Sequence, residues 1–150
     1  MKLFSLFATI ILALSVPAAT NDAPAVVAAI VPPYNAIART AHVSGEITVD
    51  VEINSSGKVV SAKMSGHPLL AKSAKEAAEQ WRFVPTSENS IKRRATLVFA
   101  FRLMRGCSPA TDLTPIFYPP YKIEVRGETP PRTCSDCSPD EQEKLRCPDP

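Results

Sequence analysis

The feature that most constrains the fold is the stretch 46–53, in which polar and apolar side chains alternate. Its apolar members are Ile47, Val49, Val51 and Ile53, and charged residues or threonine fill the positions between them. Successive side chains of a strand point to opposite faces, so this period of two predicts a strand with one buried face and one face in water. The stretch therefore predicts a small sheet that another layer must cover.

A hairpin follows from the next residues. Asn54 to Gly57 offers asparagine and glycine, which tolerate the positive φ values of tight turns. The chain returns as Lys58 to Met64, and its alternation predicts that Val60, Ala62 and Met64 face inward.

An alanine-rich helix is predicted to cover the hairpin. It begins at Pro68, whose missing N–H is harmless in a first helical turn. One stripe of this helix is apolar and carries Leu70, Ala74, Ala77, Ala78 and Trp81. A shorter and weaker helix is indicated by the spacing of Tyr34, Ile37, Ala38 and Ala41. The alanines allow a close approach to the sheet, and the Trp81 ring then fills the wider gap.

A third strand follows a polar loop and has its largest side chains on the inward face. That face carries Ala95, Leu97, Phe99 and Phe101, and the outward face carries Thr96, Val98 and Ala100. As the last strand of a three-stranded sheet, it is predicted to have one unpaired side. Unpaired strand edges aggregate or bind a partner strand. If the chain's own tail paired with that side, this binding hypothesis would fail.

The fold class predicted is α+β, a three-stranded antiparallel sheet packed by two helices over residues 31–104. Residues 105–150 form a proline-rich, cysteine-containing tail with one further predicted strand, Tyr121 to Val125. The four cysteines all lie in this tail, at Cys107, Cys134, Cys137 and Cys147. In an exported chain, an even number favours disulfides over a zinc site or a redox pair, and the sequence does not choose the pairing.

The first residues are typical of a targeting signal. Lys2 is followed by the apolar run 3–16 and by small residues around Ala18. The run is shorter than the ~20 residues of a spanning helix. We therefore expect a cleaved signal peptide at 1–19, a lead-in at 20–30, no retained membrane anchor, and a periplasmic or secreted protein.

Several function classes are disfavoured by the residues present. The formal charge is only +2, with 17 basic and 15 acidic residues, which is weak support for nucleic-acid binding. No catalytic triad, phosphate loop or metal-binding carboxylate cluster is visible, and His42 and His67 are expected at the surface. We predict no enzyme activity, no catalytic residue, no cofactor and no metal.

At this point the sequence resembles the C-terminal domain of TonB-type energy transducers. The resemblance rests on an ordered set of short motifs across residues 31–104. They are Pro33-Tyr34, Gly45 to Val49, Ile53 with Gly57-Lys58-Val59, Ser65-Gly66, Ala74 with Ala77-Ala78, Trp81 to Pro85, and Phe99 to Phe101.

The resemblance implies a periplasmic domain that captures an extended peptide of an outer-membrane transporter by pairing it with an exposed strand. The peptide-binding strand would then be Ala95, Thr96, Leu97, Val98, Phe99, Ala100 and Phe101. Only about ten residues separate the expected cleavage site from the domain, and at ~3.6 Å each they span under ~40 Å, so energy transduction is not expected.

Three function hypotheses remain open on the sequence. The first is recognition of a protein or peptide by strand addition, with self-pairing into a homodimer as a variant. The second is a thiol-disulfide or zinc-dependent activity of the tail. The third is a scaffold that presents the tail to a partner.

Overall fold

A computed structural model describes residues 23–87, 93–104 and 113–130 of the chain. These residues form seven strands and two helices. In chain order they are β1 (Val26–Ala28), α1 (Ala36–Thr40), β2 (Gly45–Ile53), β3 (Val59–Ser65), α2 (Pro68–Glu79), β4 (Arg82–Phe83), β5 (Arg93–Met104), β6 (Ile116–Tyr118) and β7 (Lys122–Glu128).

The main sheet has five strands in the order β3-β2-β5-β7-β6. All neighbours run antiparallel except β5 and β7, which are parallel. The predicted α+β class with two helices is confirmed, but the predicted three-stranded antiparallel sheet is too small. The two additional strands come from the tail, whose predicted strand is present as β7 and forms a hairpin with β6.

The β2–β3 hairpin follows the predicted pattern closely on β2. Its four inward side chains are at most 1 % exposed, and the turn is closed by the Asn54 side chain, whose Oδ1 accepts from the Lys58 amide at 2.9 Å. On β3, Ala62 and Met64 lie opposite the inward-facing Val51 and Val49 as predicted, although Met64 is 50 % exposed, and the prediction for Val60 is wrong, because it is 61 % exposed. A register irregularity places Val59 opposite Ile53, and β3 is the outermost strand on this side.

The core lies between the sheet and α2. The predicted stripe of α2 is buried, with Ala71 added to it. The Trp81 ring is fully buried and meets Phe83, Phe99 and Phe117 at centroid distances of 6.2, 6.0 and 6.4 Å. Trp81, just after the end of α2, therefore contacts β4 and β5 as well as β6 of the tail. The first predicted helix is present as the short α1, in which Ala38 is buried and Ile37 is exposed.

The residues before α1 lie against the domain. β1 pairs antiparallel with β4 as a separate two-stranded sheet, and the Val84 amide donates to the Ala25 carbonyl at 2.8 Å. The indole Nε1 of Trp81 donates to the carbonyl of Ile30 at 3.0 Å. Among the residues described, no helix has the length and apolar character needed to cross a membrane.

Candidate strand-addition site

Strand β5 has a neighbouring strand on each of its sides, and the two ladders cover different parts of it. On one side β2 runs antiparallel to it, from Gly45 opposite Phe101 to Ile53 opposite Arg93. On the other side β7 runs parallel to it, from Lys122 opposite Val98 to Glu128 opposite Met104. The prediction that this strand has an unpaired side is therefore wrong for Val98 to Phe101, whereas the ladder with β7 does not extend to Ala95, Thr96 and Leu97. The alternating pattern of β5 was read correctly, but alternation does not reveal which backbone lies alongside.

The consequence for the candidate residues is direct. Of the strand Ala95 to Phe101, the residues Val98 to Phe101 offer no open edge to a partner, and self-pairing of β5 between two copies along these residues would need the side that β7 holds. Within the described residues, the outermost strands of the sheet are β3 and the short β6. A partner strand could pair with Val98–Met104 of β5 only by taking the place of β7.

The predicted site residues divide by face as expected, with one exception. The side chains of Ala95, Leu97, Phe99 and Phe101 are buried in the core, and Thr96 is exposed on the outer face. Ala100 also belongs to the outer face, yet it is only 1 % exposed. The pairing of Ala100 with Glu46 of β2 and Glu124 of β7 places a longer side chain on each side of it.

The strand β7 is seated through both its backbone and its side chains. The amide of Val98 donates to the carbonyl of Tyr121 at 2.9 Å, at the start of the parallel ladder. Ile123 and Val125 lie opposite Phe99 and Phe101 and are 2 % and 4 % exposed. Parallel pairing thus places the apolar residues of the tail into the core of the preceding domain. We call this seat, formed by Val98–Met104 of β5 and the Tyr34 ring, the β7 slot.

Tyr34 forms the far end of the β7 slot. Its hydroxyl donates to the carbonyl of Val43 at 2.6 Å, and its ring meets Phe101 edge-on at 5.1 Å. Partial burial raises the pKa of the Tyr34 hydroxyl, and the neighbouring Arg39 opposes this shift. The phenol therefore stays protonated and keeps its donor role at physiological pH.

Tyr121 anchors the near end of the β7 slot. Its hydroxyl donates to the carbonyl of Pro24 at 2.8 Å, and its ring lies edge-on to Phe83 at 6.2 Å. Burial raises its pKa also. Tyr121 thereby joins the start of β7 to the segment before β1 and to β4.

An ion pair crosses the outer face of β5. Lys122 lies opposite Val98 on β7, and Glu46 lies opposite Ala100 on β2. The two side chains meet with Nζ 2.6 Å from Oε1, so the pair joins the two neighbours of β5. The hydrogen bond from Lys122, followed by its charge, lowers the pKa of the Glu46 carboxyl. Both side chains are nearly half exposed, so the contribution to stability is small.

The rest of the outer face is polar, as predicted for the wet face of β2. A cleft there is lined by residues such as Asp50, Glu52, Lys63 and Arg94. Asp50 accepts a hydrogen bond from the Thr96 hydroxyl at 2.6 Å, and a guanidinium nitrogen of Arg94 lies 3.4 Å from Oε1 of Glu52. These contacts link the wet faces of neighbouring strands to one another.

The predicted disulfide residues Cys107, Cys134, Cys137 and Cys147 lie outside the described residues. The disulfide, zinc and redox hypotheses for the tail stay predictions. Both histidines are exposed as expected, and His67 caps α2, since its Nδ1 accepts from the Leu69 amide at 3.3 Å. In residues 23–87, 93–104 and 113–130, no group of three or more metal-ligating side chains comes together.

Sequence reasoning missed the residues that seat β7. The tail strand itself was predicted, but its partner was not. Two signals were present: Ile123 and Val125 alternate with charged residues, and Gly127 continues the same alternation. Neither signal names a neighbouring strand, because main-chain pairing is open to nearly every residue type.

Comparison with known families gives a match to the description "Gram-negative bacterial TonB protein C-terminal" over residues 31–103. No curated protein matches the chain. The matched segment runs from just before Tyr34 to the end of β5, and so includes the hairpin, both helices and Trp81 but not β6 or β7. Domains of this family are non-catalytic and occur in periplasmic, transport-associated proteins that interact with other proteins. Residues 31–103 of this chain therefore belong to the TonB C-terminal domain family.

Proposed function

We propose that the chain is an exported, non-catalytic recognition module that binds an extended segment of a protein partner as a strand added to β5. Because the tail pairs with Val98–Met104, recognition at an open edge of these residues fails, and the partner segment would instead have to displace β7 from the β7 slot. The observation that carries the proposal is the seating of β7 itself. A segment outside the matched domain lies along β5 in parallel register, with two of its side chains buried.

The chemistry of this site suits strand addition. Main-chain groups supply the affinity, and pockets for alternate side chains supply the selectivity. The Val98 amide already bonds a carbonyl of the added strand at 2.9 Å. Phe99 and Phe101, both fully buried, provide the apolar floor for the alternate side chains. No catalytic group is needed for any of this.

The attached β7 competes with any partner for the same slot. A segment tethered by a short linker acts at an effective concentration in the millimolar range. A free peptide of equal intrinsic affinity must exceed that concentration to displace it. The partner must therefore bind more tightly than β7, or meet the protein when β7 has been released. The family suggests a partner with a role in outer-membrane transport, such as a transporter segment that faces the periplasm.

A peptide titration tests the proposal. The peptide YKIEVRGET, which copies residues 121–129, is labelled and added to the full chain with Val125→Asp, a change that places a charge in the core and releases the attached β7. We expect saturable binding to this variant and at least about tenfold weaker binding to the unchanged protein.

The matched control is Val98→Pro in the Val125→Asp background. It removes the amide that bonds the added strand but keeps the side chain small and apolar. Far-UV circular dichroism verifies that both variants keep the helix α2. Strand addition at β5 is refuted if the peptide binds both folded variants equally, or binds neither.

A further inference from the structure

The end of β7 makes a close approach to Tyr34. Gly127 lies opposite Leu103 of β5, on the same face of β7 as Ile123 and Val125. A Cβ atom at Gly127 would stand 2.9 Å from Tyr34 Cγ, closer still to Tyr34 Cδ1, and 3.1 Å from Arg39 Cδ. Carbon atoms do not approach to 2.9 Å without displacement of one of them.

The Tyr34 ring is poorly placed to yield. Its hydroxyl is bonded to the Val43 carbonyl, and its ring packs edge-on to the buried ring of Phe101. Arg39 is a flexible side chain and can move aside, but the atoms of Tyr34 that meet the added carbon belong to the base of its ring. Gly127 lies within a regular strand and its φ is not positive. Glycine is therefore required by the lack of room for a side chain and not by backbone conformation.

We propose that Tyr34 is the specificity-determining residue of the β7 slot, because it admits only strands that carry glycine at the third core-facing position. This inference rests on the proposed function and names the partner it fits. The partner is an extended segment, parallel to β5, with the pattern aliphatic, any residue, aliphatic, any residue, glycine. The aliphatic positions correspond to Ile123 and Val125, and the final one to Gly127.

The attached strand gives the first arm of the test. In the full chain, Gly127→Val is expected to raise the exchange rate of β7 amide hydrogens by about tenfold or more, since overpacking against the Tyr34 ring is destabilising. Tyr34→Ala removes the ring that the new side chain would meet, so in that background Gly127→Val should change the exchange rate by less than about threefold. Tyr34→Phe keeps the ring and should keep the full penalty. Equal penalties with and without the Tyr34 ring would overturn the inference.

The second arm uses peptides in trans. The Val125→Asp protein is titrated with YKIEVRGET and with a version that carries valine in place of glycine. We expect the glycine peptide to bind about tenfold more tightly or better, and we expect Tyr34→Ala to reduce the ratio to less than about threefold. Equal affinities with Tyr34 present would overturn the inference and leave the proposed function intact.

The two arms separate the two proposals. If neither peptide binds but the amide-exchange cycle shows the penalty and its relief by Tyr34→Ala, the steric rule holds for the attached strand and the proposed function fails. If the glycine peptide binds and the exchange cycle shows no coupling between Tyr34 and Gly127, the proposed function stands and the specificity rule is wrong.

Discussion

The two strands that flank β5 reach it in different ways. β2 belongs to the segment 31–103, pairs antiparallel, and is covered by α2 through a regular apolar stripe. β7 lies outside that segment, pairs parallel, and arrives with β6 as a hairpin. The first flank is built by the family domain, and the second is supplied by the tail.

The difference suggests that the two flanks have separate roles. The β2 flank holds the centre of the core, since its inward side chains are at most 1 % exposed. The β7 flank adds two buried aliphatic side chains, Ile123 and Val125, and an anchor at Tyr121. We infer that loss of the β2 flank unfolds the domain, and that loss of the β7 flank opens the β7 slot.

The largest effect is expected at the centre of the β2 flank. Val49→Asp places a charge where the side chain is fully buried, on the strand between β3 and β5, and none of the charged side chains in the described part of the chain is buried with it. We predict a loss of about 4 kcal/mol or more, a large part of the 5–15 kcal/mol typical of a domain. Circular dichroism should show an unfolded chain at 25 °C. A cooperative native transition in this variant would contradict the assigned role of β2.

The next effect is expected at the ring that lies between β5 and the tail hairpin. Trp81→Ala removes the ring that contacts Phe99 of β5 and Phe117 of β6. A buried tryptophan replaced by alanine costs about 3–5 kcal/mol. Urea unfolding should show this loss, together with lower protection of both flanks. If only the β6–β7 hairpin lost protection, Trp81 would belong to the tail flank alone.

A smaller and local effect is expected at the centre of the β7 flank. Val125→Asp should release β6 and β7 and leave the β2–β3 hairpin and α2 folded. Trypsin should then cleave after Lys122 and Arg126 about tenfold faster than in the unchanged protein, because proteases act on opened segments. Global unfolding of this variant would remove the distinction between the flanks.

The smallest effect is expected at the ion pair that joins the flanks. The pKa of Glu46 is lowered by Lys122, so the folded state binds the proton less readily than the unfolded chain. The stabilisation is therefore present above the ordinary value of 4.5 and disappears as the pH falls through the lowered pKa. Glu46→Gln should cost at most about 1 kcal/mol at pH 7 and low salt, and nothing at acid pH. Urea denaturation at both pH values checks this, and an undiminished difference at acid pH would exclude the ion pair as its cause.

Strand β5 shows which parts of the structure could be predicted from the sequence. The alternation in residues 46–53 and 95–101 correctly predicted which faces are buried, except at the buried Ala100 of the outer face, because side-chain direction has a period of two. Edge pairing depends on main-chain groups that all strands share, and nothing in Ala95 to Phe101 marks β7 as a neighbour. The strand Tyr121 to Val125 was predicted, yet its parallel docking depends on tertiary features such as the close approach of Gly127 to the Tyr34 ring.

Hydrogen exchange of the unchanged protein tests the central claim most directly, because it compares the opening of both flanks in one molecule. We predict that β7 amides and the Val98 amide exchange through an opening of lower free energy than β2 amides, by about 1.4 kcal/mol or more, which is a tenfold difference in rate. Equal exchange free energies in β2 and β7 would show that β7 is part of one cooperative core, and would contradict the account of β7 as a replaceable strand.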